Sequence, residues 1–243
     1  MWIDTYSKDL DMNVKSNVDI ILLTHNTRSD LLDKSLTCLV GLDNFILIVD
    51  DHSCDEFYNH LIKKATSLKN YKIVRTDTNI RQYNATYYGL QFLNNDFIMR
   101  LDDDDEYFNI PVWLDPNIDF YAKRIHCKNI DDWLELKPMR VSGSIIKTNL
   151  MKEMYSYGLS NNEYQYFHED VYATLILFLK YSSLNFKKSN FIYKYNKRKD
   201  SESSKVQQTG KKYNRLSLLY HTCIKLGISS EVYNKYAKKI IKD

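Results

Sequence analysis

The first hundred residues fall into short apolar blocks that alternate with amphipathic ones. VDIILLTHN (Val18 to Asn26) is a continuous apolar run that stops at polar residues, the pattern of a strand buried on both faces of a parallel sheet. In the following SDLLDKSLTCLVGL, Leu31, Leu32, Leu36, Leu39 and Val40 recur at helical spacing. Ser29 is placed to cap that helix and Gly41 to end it. FILIVDDHS (Phe45 to Ser53) predicts a second buried strand ending in acids. A helix is expected from about Asp55 to Leu68, with Phe57, Leu61, Ile62 and Ala65 inside. YKIVRT predicts a third strand, Tyr83 to Leu93 a helix, and DFIMRL (Asp96 to Leu101) a fourth strand.

This alternation is that of βαβ units, and it implies an α/β fold with a mostly parallel sheet flanked by helices. In such sheets ligands bind beyond the carboxyl ends of the strands. Polar clusters stand at those ends: Thr24-His25-Asn26, Asp50-Asp51, Arg75 and Asp102 to Asp105. The first strand–helix turn lacks a GxGxxG dinucleotide fingerprint.

Beyond this the pattern loosens. Asn109 to Pro138 carries Pro111, Pro116 and Pro138 with Trp113 and Trp133, and reads as a loop-rich insert with short strands or helices. Met139 to Leu150 reads as a strand containing Gly143 and then a helix start. His168 to Tyr181 is a strong helix with an acidic first turn, and NFIYKYNKRKDSESS a strand running into a polar loop. Two helices close the chain, about Lys211 to Leu226, stopped by Gly227, and about Ser230 to Lys242.

Composition changes the picture in two ways. The 243 residues carry a net charge of +3, which hides an asymmetry. Asn185 to Asp243 holds 15 Lys and Arg against 4 Asp and Glu, and Met1 to Leu184 holds 19 against 27. A basic tail behind an acidic body suits a polyanionic partner, such as nucleic acid, an anionic membrane or a phosphorylated acceptor, or else a solvated helix surface. No apolar run is long enough to span a membrane and the N-terminus lacks a signal-peptide core. A cytoplasmic protein is therefore expected, with peripheral membrane attachment through the tail as an option. Cys38, Cys54, Cys127 and Cys223 are scattered and read as reduced thiols.

The chemistry concentrates in RLDDDDEYF, where four aspartates follow an apolar strand. Alternate side chains of a strand share a side, so Asp102 and Asp104 would pair if the chain stays extended. Paired carboxylates suit a hard cation such as Mn²⁺ or Mg²⁺, which keeps positions for phosphate oxygens. An isolated acid run is usually only a solvated loop; its place at the ligand edge of the sheet favours the metal reading. The histidines His25, His52, His60, His126 and His221 have no ligand-like spacing.

VDIILLTHN, IVDDHS, NIRQYNATYYGL (Asn79 to Leu90), RLDDDDEYF and HEDV, in this order, resemble the successive nucleotide-sugar-binding segments of family 2 glycosyltransferases with a GT-A fold. YKYNKRKDSESS is similar to the family's basic, serine-containing C-terminal loop. The likeness runs from about Val18 to Ser204. It implies a GT-A-type, Rossmann-like sheet whose residues 1–106 bind the donor. Residues 107–204 would form the acceptor and catalytic half of the same domain, and 205–243 a basic helical extension.

The resemblance further implies roles. Thr24, His25 and Asn26 would lie near the base and ribose, Asp50 or Asp51 would bond the base, often uracil, and Arg75 would line its pocket. Gln82, Asp102 and Asp103 would face the donor, with Lys197 and Arg198 closing over the diphosphate. Asp104 would hold the metal with Asp102. Asn196 stands where many relatives carry a ligating His. The third segment keeps only Asn79 and Gly89 of the family's pattern. Asp170 would be the general base of an inverting transfer, since one carboxylate beside an acceptor hydroxyl suffices when a metal stabilises the leaving diphosphate.

The expectation is thus a metal-dependent, inverting glycosyltransferase that takes a UDP-sugar and an acceptor hydroxyl on a glycan, glycoconjugate or modified nucleic acid, with no obligate protein partner. A nucleotidyltransferase is the rival enzyme, although a Gly-rich phosphate loop is missing. A polyanion-binding module that uses the basic tail is the non-enzymatic rival.

Overall fold

The computed structural model describes residues 5–7, 16–122, 125, 128–135, 141–159, 169–194 and 211–242. They group into two compact units. The first comprises Met1–Arg124, Val141–Gly158 and Asn185–Asn196; the second comprises Ile125–Arg140, Leu159–Leu184 and Lys197–Asp243. In chain order the strands are β1 (Thr5–Ser7), β2 (Val18–Thr24), β3 (Ile46–Asp50), β4 (Tyr71–Arg75), β5 (Phe97–Asp102), β6 (Glu106–Phe108), β7 (Phe120–Ala122), β8 (Ile145–Lys147), β9 (Phe186–Lys188) and β10 (Ile192–Lys194). The helices are α1 (Ser29–Thr37), α2 (Asp55–Ala65), α3 (Arg81–Leu90), α4 (Ile130–Glu135), α5 (Thr148–Tyr155), α6 (Glu169–Lys180), α7 (Lys211–Lys225) and α8 (Ser230–Lys242).

The first unit is built on an eight-stranded sheet in the order β1-β4-β3-β2-β5-β8-β7-β9. Its centre, β4-β3-β2-β5, is parallel. Every residue of β2 and β3 is buried, which explains their uninterrupted apolar sequence. The strands divide their side chains between two faces. Ile20, Leu22, Ile46 and Ile48 join Leu32 and Leu36 of α1 and Phe57 and Leu61 of α2 in one core. On the other face α3 lies so close that a Cβ on Gly89 would come within 2.6 Å of Ile21 Cδ1 and Val49 Cγ2. Each fully buried Leu or Ile contributes about 1.5–3 kcal/mol, so this centre is the stable frame for whatever its strand ends carry.

One acid belongs to the frame itself. Asp19, buried within β2, accepts from Asn94 N (3.2 Å), Asn95 N (3.1 Å) and Asn95 Nδ2 (2.7 Å). It thereby fixes the loop that leads into β5. The antiparallel strand β8 extends the sheet beyond β5, and β6 pairs with β10 in a separate ribbon.

The second unit is helical. Trp133 Nε1 of α4 donates to Thr174 Oγ1 of α6 at 3.3 Å, and Lys239 of α8 reaches Asp131 of α4 at 2.7 Å. The rings of Tyr220 (α7) and Tyr233 (α8) meet edge-on at 5.5 Å. Gly227, at φ +64°, ends α7, as its lack of a Cβ allows. Among the described residues no helix is long and apolar enough to cross a membrane.

Several local expectations need correction. Ser29 opens α1 from within; Arg28 takes the cap position and its guanidinium binds Asp30 (3.0 Å). The helix ends at Thr37, and Gly41 serves the turn beyond it at φ +80°. Gly143 lies in a turn and not in a strand, where its N–H donates to Arg100 O at 2.9 Å. β9 was not expected: three residues, FKK, carry too little periodicity to read.

Candidate active site

Parallel register brings the strand ends level. Thr24 pairs with Asp50, Asp50 with Arg75, and Leu23 with Asp102. The polar clusters that the sequence places at four strand ends therefore lie along one edge of one sheet. The backbone continues the pairing, with Asp51 N donating to Thr24 O (2.9 Å) and Thr76 N to Asp50 O (3.0 Å).

The turns after β2 and β3 are tied together. Asn26, in the left-handed region at φ +49°, donates its N–H to Ser53 Oγ (2.9 Å), and its Oδ1 accepts from Cys54 N (2.8 Å). Asn tolerates this conformation better than most residues. His25 Nδ1 donates to Asp51 O at 2.7 Å, which leaves Nε2 to accept from Asn79 Nδ2 at 3.0 Å. Asp51 is itself held: its Oδ1 accepts from Ile80 N (2.8 Å) and Thr76 Oγ1 (3.0 Å). Asp51 therefore organises the entry to α3.

Asp50 is fully buried. Arg75 Nε lies 3.1 Å from its Oδ2, Ser53 N donates to the same oxygen at 3.3 Å, and Oδ1 has no hydrogen-bond partner among the described residues. Burial raises the carboxyl above its usual range despite the opposing pull of Ser53 and Arg75. Arg75 also donates to Ser53 O and to Asp55 Oδ1 (3.2 Å), and it lies over the Tyr58 ring at 4.4 Å. Its guanidinium is thus a fixed positive wall.

The acid run ends β5 and turns at once, so the chain does not stay extended. Burial nevertheless alternates: Asp102, Asp104 and Glu106 are half-buried, while Asp103 and Asp105 are buried. Asp103 is pushed up to about 7, chiefly by burial, with the charges of Asp104 and Asp102 adding to the shift and Thr24 and Thr27 opposing it. Its Oδ2 has no hydrogen-bond partner among the described residues. Asp102 is held by Arg100 Nη2 (2.8 Å) and Gln82 Nε2 (3.1 Å), both on Oδ1.

Among the described residues no three His, Cys, Asp or Glu side chains are grouped to hold a metal ion. The oxygen donors of Asp102 and Asp104 do fit the mode in which Mg²⁺ or Mn²⁺ is held by one or two carboxylates and completed by substrate phosphates and water.

Residues 19–115, which carry all of these side chains, match the family described as Glycosyl transferase family 2. Over these residues the chain is similar to family 2 glycosyltransferases. Among solved structures, S. aureus TarS 1-349 superposes with a TM-score of 0.56 at 14% identity, covering 92% of this chain and 70% of that one. The same TarS fragment in complex with UDP-GlcNAc gives 0.59 at 14%, covering 92% and 71%. Against the longer TarS structure, 42% of that chain is covered. The mannosyltransferase PcManGT from Pyrobaculum calidifontis, in complex with GDP-Man and Mn2+, gives 0.58 at 12%, covering 86% and 64%. These likenesses establish the GT-A fold. No curated protein sequence matches.

The remaining expected residues come from other segments of the chain. Asp170 is half-buried in the first turn of α6, in the second unit, and its carbonyl accepts from Thr174 Oγ1 at 2.7 Å. Asn196, Lys197 and Arg198 lie outside the described residues, as does His168. Lys194, in the ribbon, is paired with Glu106 at 2.7 Å. The sequence reading missed Ser53, Asp55, Tyr107 and Arg100. For Arg100 a signal existed: a charge two residues before Asp102 on one strand shares its face.

Proposed function

We propose that this glycosyltransferase moves a sugar from a nucleoside diphosphate, with uridine as the base, to an acceptor hydroxyl, with inversion. The observation that carries the reading is the alignment of Thr24, Asp50, Arg75 and Asp102 along the carboxyl edge of four adjacent parallel strands, inside the family-matched segment. Support for the donor class comes from the relatives: a TarS fragment is solved with UDP-GlcNAc and PcManGT with GDP-Man and Mn2+.

The base would lie against Asp51, Asn26 and the Arg75 wall. Asp104, with Asp102, would hold Mn²⁺ or Mg²⁺, which when bound supplies positive charge to the diphosphate as it departs. Lys197 and Arg198 would cover that diphosphate and exclude water. Asp170 would take the acceptor proton as the acceptor oxygen bonds the anomeric carbon. The bond from that carbon to the phosphate oxygen breaks, and the nucleoside diphosphate leaves with the electron pair. A single displacement of this kind inverts the anomeric centre. The basic tail suits an acceptor that carries negative charge, including one at a membrane surface or on DNA.

A thermal-shift screen of nucleotides with and without Mn²⁺ tests the donor side. Stabilisation by UDP that requires the metal is the expected result; a preference for CTP or ATP favours nucleotidyl transfer. Mass spectrometry of intact nucleotide sugars and released nucleotide then identifies the sugar.

A further inference from the structure

Arg100 is 1% exposed and lies in β5, at the centre of the first unit. A guanidinium in that position is costly unless it is paired. Its Nη2 donates to Asp102 Oδ1 at 2.8 Å, and the Asp102 side chain is 26% exposed. One end of the pair is thus in the core and the other at the ligand edge. A pair serving stability alone would do as well as a packed apolar pair, so the exposure of its acid end calls for another account.

The surroundings fix both partners. Gln82 Nε2 donates to the same Asp102 Oδ1 at 3.1 Å. Asp102 N donates to Tyr107 Oη at 2.9 Å, and that hydroxyl lies 3.2 Å from Ser142 Oγ. Behind Arg100, Nη1 lies 3.4 Å from Tyr155 Oη, and the Tyr155 ring packs at 4.7 Å on that of Tyr83. Both side-chain donors converge on Oδ1 and none of the described residues donates to Oδ2. The carboxylate is therefore ordered before any ligand arrives, with one oxygen bound to protein and one left over. Ordering it in advance removes a cost that binding would otherwise meet.

We propose that Arg100 is a positioning residue for the donor: it holds Asp102 through Oδ1, with Gln82 as second donor, so that Oδ2 is presented to the donor and its cation. This rests on the donor reading above and adds to it a residue outside the ligand's reach.

The test is UDP affinity in the presence of MnCl₂, by calorimetry on the full chain. Arg100→Met is expected to weaken UDP binding about tenfold to a hundredfold, the range for losing a hydrogen bond to a charged group. Arg100→Lys recovers part of the loss. In an Asp102→Asn background, Arg100→Met has almost no further effect, because the partner it acts through is already altered. Equal losses in both backgrounds mean general damage to the fold and overturn the proposal. So does wild-type affinity in Arg100→Met, or tighter Mn²⁺ uptake, which would make the guanidinium a competitor of the cation. If Arg100→Met does not fold, the exposed Gln82→Ala decides: a severalfold loss of affinity at unchanged Tm supports the proposal, and unchanged affinity overturns it. Wild-type protein that binds no nucleotide refutes the donor reading itself, and this inference falls with it; wild-type binding that is indifferent to these variants refutes this inference alone.

Discussion

Asp50 and Arg75 face each other across two parallel strands, with Nε 3.1 Å from Oδ2. The ion pair does not fully offset the burial of Asp50, whose carboxyl is raised above 3.8. A carboxylate raised in the folded state contributes stability in full below about 3.8 and loses it as pH rises through the folded value. Asn cannot ionise, so Asp50→Asn escapes that loss. The Tm of the variant minus that of the wild type should become more positive from about pH 4 to about pH 8, read by scanning fluorimetry in metal-free buffer. A difference that is flat or declines with pH would show that Arg75 neutralises Asp50 completely.

Gly89 is set by packing. A Cβ there would stand 2.6 Å from Ile21 Cδ1 and Val49 Cγ2. The Ile terminus can swing away, but the β-branched Val49 is stiff in χ1. Ala in a helix interior gains about 1 kcal/mol over Gly, whereas overpacking costs about 1–3 kcal/mol. Gly89→Ala should therefore be net destabilising, by up to about 2 kcal/mol, in urea unfolding at unchanged m-value. A stabilised variant would mean that α3 can lift from the sheet without cost.

These two sites show which parts of the molecule the sequence reveals. The four central strands were legible because burial on both faces leaves an uninterrupted apolar string such as VDIILL. α8 was legible because its buried Ala237 and half-buried Val232, Tyr236 and Ile240 keep helical spacing. Short elements such as β9 were not, since three residues cannot establish a period. The strand-end acids were placed correctly on the sheet edge, but their separate duties were hidden. Nothing in DDHS tells that Asp50 faces Arg75 while Asp51 receives Ile80 and Thr76, because those partners arrive from distant chain. Arg100 reads only as part of the fourth strand and is in fact buried with a partner two residues on.

Asp104 stands half-buried between two buried aspartates. As proposed ligand of the cation, it should matter only when metal is present. Asp104→Asn is expected to leave metal-free UDP affinity unchanged and to remove most of the gain that Mn²⁺ gives the wild type, about tenfold or more for a charged ligand lost. Calorimetry with and without EDTA checks this. A Mn²⁺-dependent gain that survives the substitution moves the cation to other carboxylates of the run.

As the proposed base, Asp170 should separate binding from transfer. It lies in the first turn of α6. A base in this role needs to accept its proton only as the acceptor oxygen gains a bond to carbon, when the hydroxyl becomes strongly acidic. Asp170→Asn keeps the size and the hydrogen-bonding oxygen but cannot accept that proton. It should bind UDP with Mn²⁺ as the wild type does and transfer sugar about 10²–10⁴-fold more slowly, the range for losing general base catalysis. Single-turnover transfer from the donor found by screening, followed by mass spectrometry, measures it. Loss of UDP affinity in this variant would place Asp170 with the donor, and transfer at the wild-type rate would assign the proton to another group.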